Sequence, residues 1–242
     1  MIGNSILLEN IKNVYRKISS AAIRAGRNPF DVKLVAATKT IPIPKMQEAM
    51  ELGLRAFGEN RVQEAKEKIM YFRQHMPDYV LEWHLIGHLQ TNKTKTAVQL
   101  FDLIHSVDSV ALAQEIDRHA GRLGKIQRVL LQVRLSEEES KHGVPEASLP
   151  ELIQAVSAMK HLKVEGLMTI PPFFDEPENV MPYFRKMKEL RDKAEAGQLK
   201  LPELSMGMTH DFELAILEGA TIVRIGTGIF GTRAKREEDD HI

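Results

Sequence analysis

The sequence contains no cysteine, which excludes disulfides, thiolate metal sites and a cysteine nucleophile and fits a reducing compartment. It also has no excess of either charge. Lys and Arg total 33 and Asp and Glu total 33, so no long-range field would recruit nucleic acid or an anionic membrane. No apolar run approaches the roughly 18 residues of a spanning helix. The opening Met1-Ile2-Gly3-Asn4 lacks the charged-then-apolar order of a signal peptide. The expectation is a soluble, cytoplasmic protein with neither nucleic acid nor membrane as a partner.

What the sequence does have is a regular alternation of strand and helix patterns. The first strand, residues 32–39, is a β-branched and small-residue run ending on Lys39, and Ile41-Pro42-Ile43-Pro44 stops it because Pro cannot donate to a ladder. Side chains alternate across a strand, so Lys33, Val35, Ala37 and Lys39 share one face. Lys39 then stands over a small residue at a carboxyl end. An amine held beside apolar walls has its charged form disfavoured, and the neutral amine condenses with aldehydes. A lysine at a strand end is more often a solvated charge, so this segment does not decide between the two readings.

Further strands are expected at 55–60, 81–86, 103–107, 126–133, 162–169, 203–206 and 221–225, each but the last followed by a helical pattern, with one helix preceding the first strand. Ser148-Leu149-Pro150-Glu151 and Asp175-Glu176-Pro177-Glu178 fit capping boxes that would open two of these helices, and 136–145 is expected to be a polar loop. Eight strands alternating with helices predict an α/β fold: a single (β/α)₈ barrel over residues 1–233 with an extra N-terminal helix. Residues 234–242 are expected to be a flexible charged tail. A doubly wound sheet would carry a glycine fingerprint after its first strand, where this chain has Thr38-Lys39-Thr40.

Barrels of this class often hold phosphate after strands seven and eight. Here those ends read Leu204-Ser205-Met206-Gly207-Met208-Thr209 and Arg224-Ile225-Gly226-Thr227-Gly228. Glycine lets backbone N–H groups approach a phosphate, and the hydroxyls of Ser205 and Thr227 can add hydrogen bonds. From spacing alone, tight turns that any barrel requires explain the glycines equally well. Arg224 shares a strand face with Ile222 and Gly226 and can point inward, towards substrate, a heterocyclic nitrogen or an interior ion pair.

Val35-Ala36-Ala37-Thr38-Lys39-Thr40, Phe57-Gly58-Glu59-Asn60-Arg61-Val62-Gln63-Glu64, Trp83-His84-Leu85-Ile86-Gly87-His88-Leu89-Gln90-Thr91-Asn92-Lys93, Gly166-Leu167-Met168-Thr169 and the two glycine segments together resemble the pyridoxal phosphate homeostasis protein family, single-domain relatives of the alanine racemase barrel. The resemblance implies a barrel carrying pyridoxal 5'-phosphate (PLP) as a Schiff base on Lys39. It further implies that Ser205, Gly226 and Thr227 hold the phosphate, that Arg224 faces the pyridine nitrogen and that Asn60 lies near the cofactor. Thr209 stands where the family usually has Ser, and the retained hydroxyl is expected to cap the following helix. His88 and Arg134 depart from the family's usual residues, and no role passes to them.

Several other groupings carry less. His84 and His88 have the spacing of a helical metal pair but fall on a strand and its loop, so no metal site is expected. Lys93 is expected at a solvated helix start. His210 and Asp211 are adjacent in sequence and do not form a dyad; Asp211 and Glu213 are expected to complement a helix N-terminus.

PLP is the strongest electron sink when its pyridine nitrogen is protonated, and an arginine donor keeps that nitrogen unprotonated. Racemases of the related fold add a tyrosine from a separate β-domain, which this chain is not expected to have. Its tyrosines, Tyr15, Tyr71, Tyr79 and Tyr183, fall on predicted helices or before a strand. The favoured expectation is therefore a monomeric, non-enzymatic protein that buffers PLP or delivers it to apo PLP-dependent enzymes. A one-domain amino-acid racemase is the alternative. A phosphosugar isomerase without PLP would need a carboxylate base at a strand end, for which Glu59 is the candidate.

Overall fold

Along the first strand the buried Leu34 and Ala36 face one way and Lys33, Val35 and Ala37 the other, and this period of two repeats around the molecule. The computed structural model describes residues 6–136, 142–196 and 199–232. In order, its first half runs α1 (Ile6–Arg24), β1 (Lys33–Ala37), α2 (Ile43–Glu51), β2 (Ala56–Glu59), α3 (Val62–His75), β3 (Glu82–Leu85), α4 (Thr94–Leu100), β4 (Leu103–Val107) and α5 (Val110–Arg122). The second half runs β5 (Gln127–Arg134), β6 (Val144–Pro145), α6 (Leu149–Ser157), β7 (Leu162–Met168), α7 (Met181–Glu195), β8 (Glu203–Ser205), α8 (Phe212–Leu217), β9 (Ile222–Ile225) and α9 (Thr227–Phe230).

Eight parallel strands pair in the order β4-β3-β2-β1-β9-β8-β7-β5, and β4 also pairs with β5, which closes the expected barrel. The expected tail at 234–242 lies outside the described residues. So do residues 137–141 of the expected polar loop. Its far end forms β6, which pairs Val133 with Val144 at the end of β5. Two residues are too short to show a period, so no residue pattern marks this strand.

The two capping boxes do not form. Ser148 makes no side-chain cap bond and follows a tight 3₁₀ turn, Glu146–Ser148, while α7 starts at Met181 behind a second 3₁₀ turn, Pro177–Val180, which leaves Asp175 off its N-terminus. Ser148 already has helical backbone angles (φ −95°, ψ −4°), whereas a capping hydroxyl needs an extended backbone to reach the free N–H groups. Ser109 has that geometry, and its Oγ accepts from the Leu112 N–H at 3.3 Å to cap α5.

The main core lies between barrel and helices, where Phe57, Leu85, Ile104, Leu131, Leu204 and Val223 meet the apolar stripes of the helices. The barrel interior has a small apolar layer, Val35, Ala56, Ile86, Leu103, Leu130, Met168 and Ile222. At the amino-terminal end of the strands a charged belt crosses the interior. Lys33 Nζ meets Glu82 at 2.7 Å, Arg128 bridges Glu82 and Glu165 at 2.8 and 2.7 Å, and Lys163 reaches Glu165 at 2.7 Å. Helix α1 packs on α8 and α9, and Asn10 Nδ2 donates to the Ile229 carbonyl at 2.9 Å. Lys45 Nζ donates to the Phe230 carbonyl at 2.6 Å, so a cation sits at the negative end of α9 and fixes it over the barrel mouth.

Candidate functional site

β1 ends at Ala37, and Lys39 lies in the turn that follows rather than on the strand itself. The Thr38 carbonyl accepts from the Ile41 N–H at 2.9 Å, which makes Lys39 the second residue of a four-residue turn. The third, Thr40, has φ 63°. That left-handed position is normally given to Gly or Asn, and a β-branched residue there is strained by about 1–2 kcal/mol. Lys39 is half-buried and lines a mouth cavity of about 440 Å³ together with Asn60, Gly87, His88, Gln90 and Lys93. Most of the lining residues are polar in type, Val62 being the one aliphatic side chain, yet their carbon atoms make up the larger part of the wall.

The strand register joins this turn to the last glycine segment. β1 pairs with β9 through Val35 with Arg224 and Ala36 with Ile225, so Ala37 meets Gly226. A Cβ added at Gly226 would lie 3.4 Å from the Ala37 carbonyl oxygen. Lys39 is therefore two residues past the contact with the glycine turn. Thr227 opens α9, and the Gly228 N–H donates to Thr209 Oγ1 at 3.3 Å. A Cβ on Gly228 would crowd Ile225 Cγ2 at 3.0 Å and Thr209 Cγ2 at 3.2 Å. Thr209 therefore does not cap α8 as expected. Its hydroxyl lies across from the glycine turn, a position the sequence reasoning missed although Thr209 closes the quoted Met206-Gly207-Met208 segment. Gly207 allows that path: its φ is 90°, and any Cβ would lie 2.6 Å from Ala215 Cβ.

Ser205 is placed differently from the expectation. It ends β8 fully buried, its Oγ 2.6 Å from Arg224 and 2.9 Å from His105 Nδ1. Arg224, also buried, donates through Nη1 to the Ser205 carbonyl at 2.8 Å and through Nη2 to the Thr169 carbonyl at 2.8 Å. Burial lowers its pKa to about 10, and Asp211 opposes the shift, so Arg224 is a cation at neutral pH. From His105 the chain continues to His84 Nδ1 at 2.8 Å, and His84 Nε2 faces Glu82 Oε1 at 3.3 Å. One proton assignment serves the bonded part of the chain: Arg224 donates to Ser205, Ser205 to His105 and His105 to His84, whose buried Nε2–H faces Glu82 without completing a hydrogen bond. It runs from the mouth to the charged belt.

Burial pushes the pKa of both histidines down, that of His105 furthest because His84 and Arg224 add to it. In the unfolded chain a histidine titrates near 6.5. Below that value the unfolded state binds protons that the folded state refuses, so stability falls as pH drops through about 6.5. The slope approaches about 1.4 kcal/mol per pH unit for each histidine until its folded pKa is reached. Urea midpoints between pH 7.5 and 5.5 should show this, and His105→Gln should flatten it. An unchanged slope in that variant would remove the neutral pair from the account.

Glu59 is not at the mouth. Gly58 takes the inward position on β2, and Glu59 faces outward, fully buried, with its Oε1 2.8 Å from Lys68 Nζ and 2.5 Å from Thr38 Oγ1. Its Oε2 is buried without a partner among the described residues, and burial raises the carboxyl pKa against the pull of Lys68. A catalytic base for isomerisation is not available there. His84 and His88 are far apart in environment, one inside the barrel and one at the rim, where His88 stacks on His142 with centroids 3.7 Å apart. Asp211 does precede α8, but its carboxylate turns back to accept from the Met208 N–H at 2.5 Å.

Residues 6–234 match the family described as alanine racemase, N-terminal domain. The pyridoxal phosphate homeostasis protein of Aquifex aeolicus is 47% identical over 226 residues, 93% of this chain and 97% of that one. The chain belongs to the pyridoxal phosphate homeostasis protein family. A second member, from Escherichia coli K12, is 41% identical over 94% of this chain and 97% of its own length. Among solved structures, PipY of Synechococcus elongatus with PLP bound superposes with a TM-score of 0.79 at 39% identity, covering 90% of this chain and all of that one. Family membership accounts for the closed barrel and for the order of the motifs along it.

Proposed function

We propose that this protein binds PLP and serves its homeostasis in the cytoplasm, holding the cofactor covalently through the Lys39 amine and buffering or delivering it without turning over amino acids. The observation that supports the reading is the Ala37–Gly226 contact, which brings the backbone leading into the Lys39 turn against a glycine turn whose N–H groups suit an anion. Relatives named for PLP homeostasis and a neighbour with PLP bound support it. PLP supplies an aldehyde for amine capture and a ring that can delocalise negative charge.

The residues present fit this group. Gly226 and Thr227 offer backbone N–H groups at the start of α9, where helical N–H groups have no intrahelical partner. Thr209 and Thr227 add hydroxyls, with Thr209 taking the place first given to Ser205, whose hydroxyl is engaged by Arg224. Arg224 spends three of its five N–H donors on Ser205 and Thr169 and retains Nε–H and one Nη2 hydrogen for a ring nitrogen. Asn60 flanks Lys39 in the cavity.

If the anion contacts dominate, pyridoxal lacking phosphate should bind far more weakly, since each charge-assisted hydrogen bond contributes about 1.5–3 kcal/mol. Thr209→Val should weaken PLP binding by about one such bond, measured by titration of the unloaded chain. Equal affinity for pyridoxal and PLP would remove the phosphate site.

The carrier reading rests on proton chemistry. A racemase needs an acid or base on each face of the substrate, each contributing roughly 10²–10⁴-fold. Lys39 can serve one face; none of the four tyrosines lines the cavity. Incubation of the loaded protein with L-alanine should therefore release PLP without appreciable racemisation. Multiple-turnover racemisation that vanishes in Lys39→Ala would establish the enzyme instead. Activation of an apo PLP enzyme in the presence of a trap for free cofactor would mark direct delivery, and activation lost to the trap would mark buffering.

A further inference from the structure

Behind the Lys39 turn lies a buried ion cluster that touches neither the cavity nor the lysine amine. We propose that Lys68, Glu59 and Glu64 position Lys39 for aldehyde capture by fixing the two peptide groups on either side of it; this rests on Lys39 being the attachment residue. On one side, the Thr38 carbonyl accepts from Lys68 Nζ at 2.6 Å, and the Thr38 hydroxyl donates to Glu59. On the other, the Thr40 N–H donates to Glu64 Oε1 at 2.6 Å. Lys68 Nζ ties the two sides together, meeting Glu59 at 2.8 Å and Glu64 at 2.6 Å.

Each part of the cluster follows from its element. Glu64 and Lys68 are four residues apart on α3 and share a helical face. Glu59 is carried outward by the period of β2, opposite Gly58, and so faces α3 rather than the mouth. Lys68 is 7% exposed, so its three bonds are made out of water, where a charged donor holds its acceptors most firmly. The cluster clamps the one described non-glycine residue with a positive φ, Thr40. Such strain persists only where surrounding structure over-determines it, and it concentrates at functional sites. An ion cluster that merely glued α3 to the barrel would not need to grip a strained turn at both peptide groups flanking one lysine. With the grip released, Thr40 can return to φ < 0, and the Lys39 Cα–Cβ direction changes with the turn.

The test compares PLP with pyridoxine 5'-phosphate, which has the same ring and phosphate but no aldehyde. Glu64→Ala removes the Thr40 acceptor from a side chain that is 25% exposed, so the core stays closed; Lys68→Met removes the grip on Thr38, and Glu64→Gln keeps an amide oxygen for Thr40. Covalent capture is read as borohydride-fixed Lys39 peptide against time by mass spectrometry. Glu64→Ala and Lys68→Met should slow capture about ten-fold or more while pyridoxine phosphate affinity stays within about two-fold, and Glu64→Gln should remain close to wild type. A purely structural cluster would weaken both ligands in proportion. That result, or wild-type capture by Glu64→Ala, overturns the proposal, and Glu64→Ala carries the test by itself if Lys68→Met does not fold. A wild-type chain that takes up no PLP at Lys39 removes this proposal and the reading beneath it together. Capture by wild type with Glu64→Ala equal to it removes the proposal alone.

Discussion

Replacement of Lys39 by alanine is expected to abolish covalent retention of PLP and to leave the fold intact. The side chain is half-buried at the mouth, lines the cavity and belongs to neither apolar layer, so its removal should change stability by no more than about 0.5 kcal/mol. In the proposed site the phosphate contacts come from the β9–α9 turn and from Thr209 and do not depend on the amine. Lys39→Ala should therefore still bind pyridoxine 5'-phosphate with nearly wild-type affinity. Borohydride reduction followed by peptide mapping gives the decisive readout. Lys93 lines the same cavity and is the natural competitor. A pyridoxyl group found on Lys93 in wild type, or a fixed peptide persisting in Lys39→Ala, would show that Lys39 is not the attachment point.

The barrel was legible because inward and outward faces differ at nearly every strand. Val35, His84, Leu130 and Arg224 alternate with neighbours that pack against helices, and β-branched runs bounded by Gly and Pro mark the ends. That Lys39 comes just past the carboxyl end of the first strand was legible for a related reason, since Pro42 and Pro44 bound the segment, although β1 itself stops at Ala37. What was not legible depended on where a strand stops by a single residue. β8 ends at Ser205, so Ser205 is an inward barrel residue that meets Arg224, and the next hydroxyl, Thr209, reaches the glycine turn. Counting in twos from Ala56 would have turned Glu59 outward and away from the mouth, which the isomerase reading overlooked. The Ser148 capping box misled because a local pattern cannot reveal that a 3₁₀ turn has already made the cap residue helical. The left-handed Thr40 had no signal at all: only the ion cluster behind it explains why a threonine tolerates that position.

Removing Arg224 is expected to cost more stability than any other change near the mouth. Arg224→Ala deletes a cation that is 4% exposed, with bonds to both Ser205 oxygens and the Thr169 carbonyl. The Ser205 carbonyl would keep the Thr169 N–H and Ser205 Oγ would keep His105, but the Thr169 carbonyl would lose its guanidinium partner beside a cavity the size of the lost side chain. Each lost hydrogen bond from a charged donor is worth about 1.5–3 kcal/mol, offset in part by no longer burying the cation, so the net loss is expected to be about 3 kcal/mol. Arg224→Lys keeps the charge but has a single head in place of a fork, so it can satisfy only part of the set and should lose about 1–3 kcal/mol. Urea unfolding with unchanged slope would report both losses as shifts of midpoint. A cycle pairing Arg224→Lys with Ser205→Ala isolates the bond between them, and contacting residues couple by roughly 0.5–3 kcal/mol. The same variants test the ring-nitrogen role: Arg224→Lys should alter the absorption of bound PLP, whereas Ser205→Ala, which leaves the guanidinium bound to the Ser205 and Thr169 carbonyls, should alter it less. If Arg224→Ala unfolds within about 1 kcal/mol of wild type, the chain from Arg224 through Ser205 to His105 contributes little to the barrel. Its histidines would then have to be explained without the arginine at their head.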